Sequence, residues 1–276
     1  MCSNFTYTFI RNISEGSYGS VELHRQLPND QQIAMKVTKQ YSTFGNFLKE
    51  VFILRQLEHV NIINILHAHT NPSTNHSFIV MPFHQLTLET AIRERHVLAE
   101  QNLMRQMLIG LQYIHSKRFL HRDIKPANIL LTDQGIIKYI DFGLACRTNL
   151  KTKTNRVITR WYRPPELLLG QTQYDEAVDI WSLGCVFAEL VSKEPLFPGT
   201  CEISQLFHIF RRRGTPTEAS WPGVHLLPHF KTTFPNWPSP KNHNQHTTYL
   251  QTMLTCDPRQ RTTTDRLLQH YTWTKI

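Results

Sequence analysis

The most constraining stretch of the chain is HRDIKPAN at residues 121–128, followed by DFG at 141–143. Asn128 precedes Asp141 by thirteen residues, and PPE follows at 164–166. Each short motif alone is weak, and a surface turn beside an unrelated Asp-Phe-Gly loop is the bland reading. In this order and spacing, chance is a poor explanation. A site that moves a phosphoryl group needs little covalent chemistry; it needs positioning, metal ligands and positive charge. Asp123 can accept a hydrogen bond from an attacking hydroxyl, and Lys125 can offset charge on the transferred phosphate. Asn128 and Asp141 supply hard oxygens of the kind Mg²⁺ takes alongside substrate phosphates.

Such a site needs a cleft. At roughly 150 residues per domain, 276 residues make two domains or two lobes around one cleft. The hydrophobic fraction of 40% is enough for a sizeable core, and the charged fraction of 18% excludes a charge-rich disordered chain. Thirty Lys and Arg against 21 Asp and Glu give a net charge of +9, which favours anionic partners such as phosphates or nucleic acid. The five cysteines (Cys2, Cys146, Cys185, Cys201, Cys256) are scattered and odd in number, with no Cys-x-x-Cys pair. Reduced thiols inside the cell, in nucleus or cytoplasm, are therefore expected. No apolar run approaches the ~18 residues of a spanning helix, so no membrane partner is expected. The start of the chain lacks a basic stretch followed by an apolar one, so no secretory signal is expected either.

Alternation predicts strands at 5–13, 31–39 and 77–83, with the turn-forming Gly16–Ser17–Tyr18–Gly19 after the first. Phe47, Val51, Leu54 and Leu57 recur at helical spacing. So do Leu103, Met107, Leu108 and Leu111, and again Ile180, Leu183, Val186, Phe187 and Leu190. Residues 214–244, rich in Pro, His and Asn, predict an irregular excursion; Leu250–Met253–Leu254 and Leu267–Leu268 suggest final short helices. The fold class is α+β, a small β-rich lobe with one main helix before a larger helical lobe.

With these residues in view, the chain resembles the protein kinases over nearly its whole length. The resemblance implies a single bilobal domain over 1–276, with an N-lobe at 1–81, a hinge at 82–86 and a C-lobe at 87–276 that contains an activation segment at 141–166. EGSYGSV (15–21) resembles the Gly-rich loop over the nucleotide phosphates, through Gly16 and Gly19. The family's first glycine falls on Ser14, which predicts a stiffer loop. Lys36 in IAMKV matches the strand lysine that holds the α and β phosphates, and Glu50 matches its helix partner. Ile13, Val21, Ala34 and Leu130, gatekeeper Met81, and hinge residues Phe83 and His84 would complete the nucleotide site. ATP and Mg²⁺ are the implied cofactors, with Asn128 and Asp141 on the metal and Asp123 and Lys125 at the chemistry.

WYRPPELLLG (161–170), VDIWSLGCVFAEL (178–190) and LFPGTCEISQLFHIFRRRGTPTEASWPGV (196–224) are more specific and resemble the cyclin-dependent kinase branch. Asp179 matches the aspartate that braces the catalytic loop, and Glu166 with Arg261 the family's buried ion pair. Lys125 two residues after Asp123 implies a Ser/Thr acceptor. VITRWYR (157–163) implies proline after it, through an unusual backbone at Ile158 with Arg163 nearby. A cyclin-type regulatory subunit is the implied partner, although TFGNFLKE (43–50) keeps only the last residue of the family's contact motif. Protein substrates with Ser/Thr-Pro are expected, and no direct nucleic-acid partner. No regulatory tail is expected after the last helix.

Three regulatory phosphorylation sites are implied: Ser17 and Tyr18 in the Gly loop, and Thr154, seven residues before Trp161. Of three arginines that hold the activating phosphate in the family, Arg122 is retained. Lys49 replaces the second and Cys146 the third, leaving Lys49 and the displaced Arg147 as substitutes. Two competing readings stay open: a catalytically impaired pseudokinase acting as a scaffold, prompted by Ser14, and a nucleic-acid-binding module, prompted only by the +9 charge. His67, His69 and His76 are expected as loop and strand-end histidines and Arg211–Arg213 as a solvated helix end, not as metal or nucleic-acid sites.

Overall fold

The structure, a computed structural model, describes residues 6–16, 19–38, 44–71, 76–150, 153–238 and 248–270. Ser17 and Tyr18 lie outside these residues.

Five strands, β1 (Thr6–Gly16), β2 (Gly19–Leu27), β3 (Gln31–Thr38), β4 (His67–Asn71) and β5 (His76–Pro82), make one antiparallel sheet in the order β1-β2-β3-β5-β4. Sequence alternation anticipated β1, β3 and β5 but not the other two. In β2 two of the buried positions are His24 and Gln26, so the apolar period that marks a strand is missing. His24 is held by the Glu22 carboxylate at 2.8 Å. β4 is the polar run HAHTN, and its place is set by tertiary contact: the His69 ring stacks on Phe78 at 5.2 Å. His67 and His69 are thus exposed strand residues whose rings lie against Phe78.

Helix α1 (Phe44–Leu54) crosses behind the sheet and buries Phe47 and Val51 against Ile79 of β5. After β5 the chain runs through residues 83–85 into a short strand β6 (Leu86–Thr87) and helix α2 (Leu88–Arg93), whose first turn is capped by the Thr87 hydroxyl. Helix α3 (Glu100–Ser116) buries Leu103, Met104, Met107, Leu108, Leu111 and Ile114, the i, i+4 stripe of a core-facing helix. Strands β7 (Phe119–Leu120), β8 (Ile129–Leu131), β9 (Ile137–Tyr139) and β10 (Cys146–Arg147) then form two small ladders, β6-β8-β9 and β10-β7. The catalytic loop lies between β7 and β8.

Beyond a short α4 (Pro165–Leu168), α5 (Ala177–Ser192) runs through the centre of the lobe with thirteen consecutive residues, Val178–Leu190, buried. This is why the sequence shows apolar residues around its full circumference. The lobe is completed by α6 (Glu202–Arg213), α7 (Thr248–Met253) and α8 (Thr264–His270). Arg213 departs from the expected solvated helix end: Nε donates to Leu254 O at 2.7 Å and Nη2 to Gln251 O at 3.0 Å, fastening α6 to the end of α7. Arg211 lies over the Trp237 ring.

Candidate active site

Antiparallel register places Lys36 on β3 beside Val21 of β2 and Ile79 of β5. From there its ammonium reaches the Glu50 carboxylate on α1 at 2.7 and 2.9 Å and Asp141 Oδ1 at 2.8 Å. One cation thus joins the sheet, the helix and the segment after β9. Burial alone would favour neutral lysine, but the two carboxylates outweigh it and raise the Lys36 pKa. Burial also opposes ionisation of Asp141, yet Lys36 holds its pKa below the usual carboxylate value. Glu50 is shifted the other way: its burial outweighs the Lys36 charge and raises its pKa.

The catalytic loop is shaped by Asp179, buried in the first turn of α5. Its carboxylate accepts the backbone N–H of His121 at 2.8 Å and of Arg122 at 2.9 Å, and Nε2 of His115 at 3.0 Å. Arg122 is thereby kept at φ +63°, a left-handed conformation that costs a non-glycine residue ~1–3 kcal/mol when it is not imposed from outside. His121 is buried, its ring 4.7 Å from that of Phe142, and pairs with Ile140 O at 3.0 Å.

Asp123 then sits in a dense set of contacts. Lys125 Nζ donates to Asp123 Oδ2 at 2.8 Å, as does Asn128 Nδ2 at 2.9 Å. The Thr159 hydroxyl donates to Asp123 Oδ1 at 2.9 Å and accepts from Lys125 Nζ at 3.0 Å. Sequence reasoning missed Thr159; the available signal was a hydroxyl residue two before Trp161, inside VITRWYR. It also missed His115 and Tyr174, which act only through contacts 64 and 52 residues away in the chain.

A cavity of about 440 Å³ opens between the lobes. Gly19, Val21, Lys36, Glu50, Asp123, Lys125 and Asp141 line it, together with Ser14, Lys49, Arg122 and Thr154. Gly19 has φ +153°, and a Cβ there would stand 2.0 Å from Val37 O, so no other residue fits the position without moving β3. Gly16 faces it across the end of the β1–β2 hairpin. The other residues expected at the nucleotide site are set back from this cavity. Ala34 pairs with Met81 across β3 and β5, Ile13 is on β1, Leu130 on β8, and Phe83 and His84 follow β5. With its Nδ2 committed to Asp123, Asn128 keeps its amide oxygen, and Asp141 keeps Oδ2 beyond the Lys36 contact. Two hard oxygens, that of Asp141 on the cavity wall and that of Asn128 buried beside Asp123, suit Mg²⁺. Among the described residues no group of three or more His, Cys, Asp or Glu could hold a metal by itself.

The segment from Asp141 to Glu166 is tied down at several points. Ile158 lies at φ +66°, rare for a β-branched side chain, and its carbonyl accepts Nε and Nη2 of Arg163 at 3.1 and 3.0 Å. Thr154 is exposed, its hydroxyl accepting the Arg156 N–H at 3.2 Å. The Thr154 carbonyl accepts the Tyr174 hydroxyl at 2.7 Å, and that hydroxyl accepts Arg122 Nη1 at 2.9 Å. Lys49 and Arg122 line the same cavity as Thr154; burial, then repulsion from Arg122, lowers the Lys49 pKa. Arg147 does not join them. Strand alternation in β10 turns Cys146 inward and Arg147 outward, where its guanidinium lies 4.9 Å from the Phe119 ring.

Asp179 carries a pH prediction. Burial would raise its pKa, but the His115 hydrogen bond, the charges of His115 and His121 and the backbone N–H of Arg122 hold it below the ordinary aspartate value. A carboxyl depressed in the folded state stabilises above its unfolded pKa of ~3.9 and loses that contribution as pH falls through the folded value. Denaturant titrations of wild type and Asp179→Asn should therefore differ most at neutral pH and converge below about pH 4. A gap that stays constant with pH would contradict this.

The protein kinase domain family matches residues 7–273. The chain is 41% identical over 241 residues to cyclin-dependent kinase 2 of Caenorhabditis elegans, an alignment spanning 83% of this chain but 65% of that protein. It is 38% identical over 282 residues to cell division control protein 2 homolog 2 of Trypanosoma brucei brucei, across 96% of this chain and 81% of that one.

Proposed function

The chain belongs to the protein kinase family, in its cyclin-dependent branch, and we propose that it transfers the terminal phosphate of ATP to serine or threonine followed by proline, in cell-cycle or transcription control. The observation that carries this reading is the convergence on one cleft of Lys36 bridging Glu50 and Asp141 with Asp123 bound to Lys125, Asn128 and Thr159. Lys36 would hold the inner phosphates, and Asn128 and Asp141 would hold Mg²⁺, which when bound neutralises charge on the phosphates. Asp123 would turn an acceptor hydroxyl toward the γ-phosphate and accept its hydrogen bond. Lys125, already cationic beside Asp123, would meet the charge on the moving group.

Proline selection follows from Ile158. Its carbonyl is occupied by Arg163 and is unavailable to an incoming peptide N–H. A substrate N–H buried there unpaired costs ~1–3 kcal/mol, a cost proline avoids. A Ser-Pro peptide should exceed its Ser-Ala counterpart in kcat/KM by about tenfold or more; equal rates would remove the proposal.

A cyclin-type subunit is proposed as the partner. Helix α1 positions Glu50, and its outer side shows Leu48 at 45% and Phe52 at 54% exposure. Leu48→Glu with Phe52→Glu should abolish activation by that subunit while leaving thermal stability near wild type. Full specific activity of the purified monomer would count against the requirement. Thr154 is proposed as the activating phosphorylation site. A phosphate on it would join Arg122 and Lys49, pairing with one guanidinium fork and one ammonium. Activity should rise on phosphorylation and rise further in Lys49→Arg, which restores a second fork. An unchanged activation ratio in that variant would separate Thr154 from this cluster.

A further inference from the structure

Between Asp141 and Glu166 the chain carries six basic residues, Arg147, Lys151, Lys153, Arg156, Arg160 and Arg163, and no acidic one. The structure disposes of three. Arg147 is stacked on Phe119; Lys153 is buried, its Nζ donating to Leu150 O at 2.8 Å and Tyr174 O at 2.9 Å; Arg163 is held by the Ile158 carbonyl and by Glu202 at 2.8 Å. Lys151 lies outside the described residues.

Arg156 and Arg160 remain. Both are exposed. Among the described residues the Arg156 side chain has no ion pair, and only its backbone N–H is engaged, by Thr154 Oγ1. Arg160 donates one Nη1 bond to the neutral Thr200 carbonyl at 2.8 Å, which leaves its charge uncompensated. They bracket Val157, Ile158 and Thr159, and Thr159 is hydrogen-bonded to Asp123, so both cations stand within a few residues of where an acceptor hydroxyl must sit. Two acids that contact this stretch are already matched: Asp123 with Lys125, and Glu202 with Arg163.

We infer that Arg156 and Arg160 form an unpaired cationic rim beside the acceptor position and select peptides with acidic or phosphorylated residues flanking the acceptor, against basic ones. The inference rests on the kinase reading and names its substrate class. A carboxylate or phosphate is the group a guanidinium fork binds best, through paired N–H···O bonds, whereas a lysine brought to the same rim meets like charge. Charge pairs of this exposure act mainly on specificity and encounter rate and weaken with salt.

The test uses the chain unphosphorylated at Thr154, checked by mass spectrometry. A set of peptides with one central Ser-Pro carries Asp, Ala or Lys at each flanking position in turn. At low salt, Asp at the preferred position should exceed Lys by about fivefold or more in kcat/KM, the scale of one exposed charge pair. The ratio should shrink at 0.5 M salt. It should also collapse in Arg156→Gln/Arg160→Gln, with turnover of the Ala-flanked peptide and the melting temperature unchanged. Fluorescence anisotropy of the same peptides reads the preference whether or not phosphate is transferred. Tighter Asp binding would uphold the rim, and the kinase reading would be overturned separately if transfer stayed absent with the cyclin-type subunit present and Thr154 phosphorylated. Equal or better use of Lys-flanked peptides, or a ratio that survives the double substitution, would overturn the rim and leave the kinase reading standing.

Discussion

Replacing Asp123 with Asn should lower kcat by about 10²–10⁴-fold, the range over which one positioned acid–base group contributes. Asn keeps the volume and one oxygen, so one of the two side-chain contacts, Thr159 on Oδ1 or Asn128 on Oδ2, keeps its acceptor; Asn128 also keeps the Asp123 backbone carbonyl, and the loop stays braced by Asp179. What is lost is the charge that orients a hydroxyl and the ion pair to Lys125 at 2.8 Å. The effect should therefore fall on kcat, while the nucleotide KM, which the proposed function assigns to Lys36 and Asp141, moves little. Steady-state kinetics separate the two. A variant with near wild-type kcat would place the chemistry elsewhere.

Substituting Glu166 with Gln should be the most damaging single change to stability. Glu166 and Arg261 have fully buried side chains, paired at 2.8 and 3.0 Å. All of Arg261's polar nitrogens are engaged, the rest by the carbonyls of Thr255, Ala177 and Cys256, and its guanidinium lies 5.1 Å from the Trp181 ring. Removing one partner leaves a charge in the core and costs about 3–5 kcal/mol. That is a large part of the ~5–15 kcal/mol by which a typical protein is stable, and should lower Tm by about 6–10 °C. Replacing both residues with apolar ones of similar size should cost less than the single change, because no unpaired charge remains. Calorimetry of the three variants decides it; a double variant worse than Glu166→Gln would contradict the interpretation.

The two substitutions also show why some of the molecule is legible in the sequence and some is not. Asp123, Lys125, Asn128 and Asp141 announce themselves because their chemistry demands particular residue types at short, fixed spacing. The helices α3 and α5 are equally plain, since burying one face or the whole circumference leaves a periodic or continuous apolar record. β2 and β4 are obscured for the opposite reason: two of the buried positions of β2 are the polar His24 and Gln26, and β4 is the polar run HAHTN, so neither strand leaves an apolar period. Contacts at long separation are hidden in the same way. Thr159 reaches Asp123 across 36 residues, marked only by its place two before Trp161, and Tyr174 reaches Arg122 across 52 with nothing local to mark it. Arg147 illustrates the reverse error, where proximity in sequence suggested a phosphate ligand and strand alternation turned it onto Phe119.

Ser14 in the glycine-rich loop favours the competing scaffold reading, in which the cleft binds nucleotide without using it. Ser14 is exposed on β1 opposite Val21 and lines the cavity beside Gly19. The decisive measurement is transfer of ³²P from γ-labelled ATP with Mg²⁺ to a Ser-Pro peptide, run beside the melting temperature with and without Mg-ATP, for the wild type and Asp141→Asn. An active kinase gives both nucleotide stabilisation and labelled peptide in the wild type, with label lost in the variant. Stabilisation of the wild type without labelled peptide, in the presence of a cyclin-type subunit and with Thr154 phosphorylated, would contradict the account.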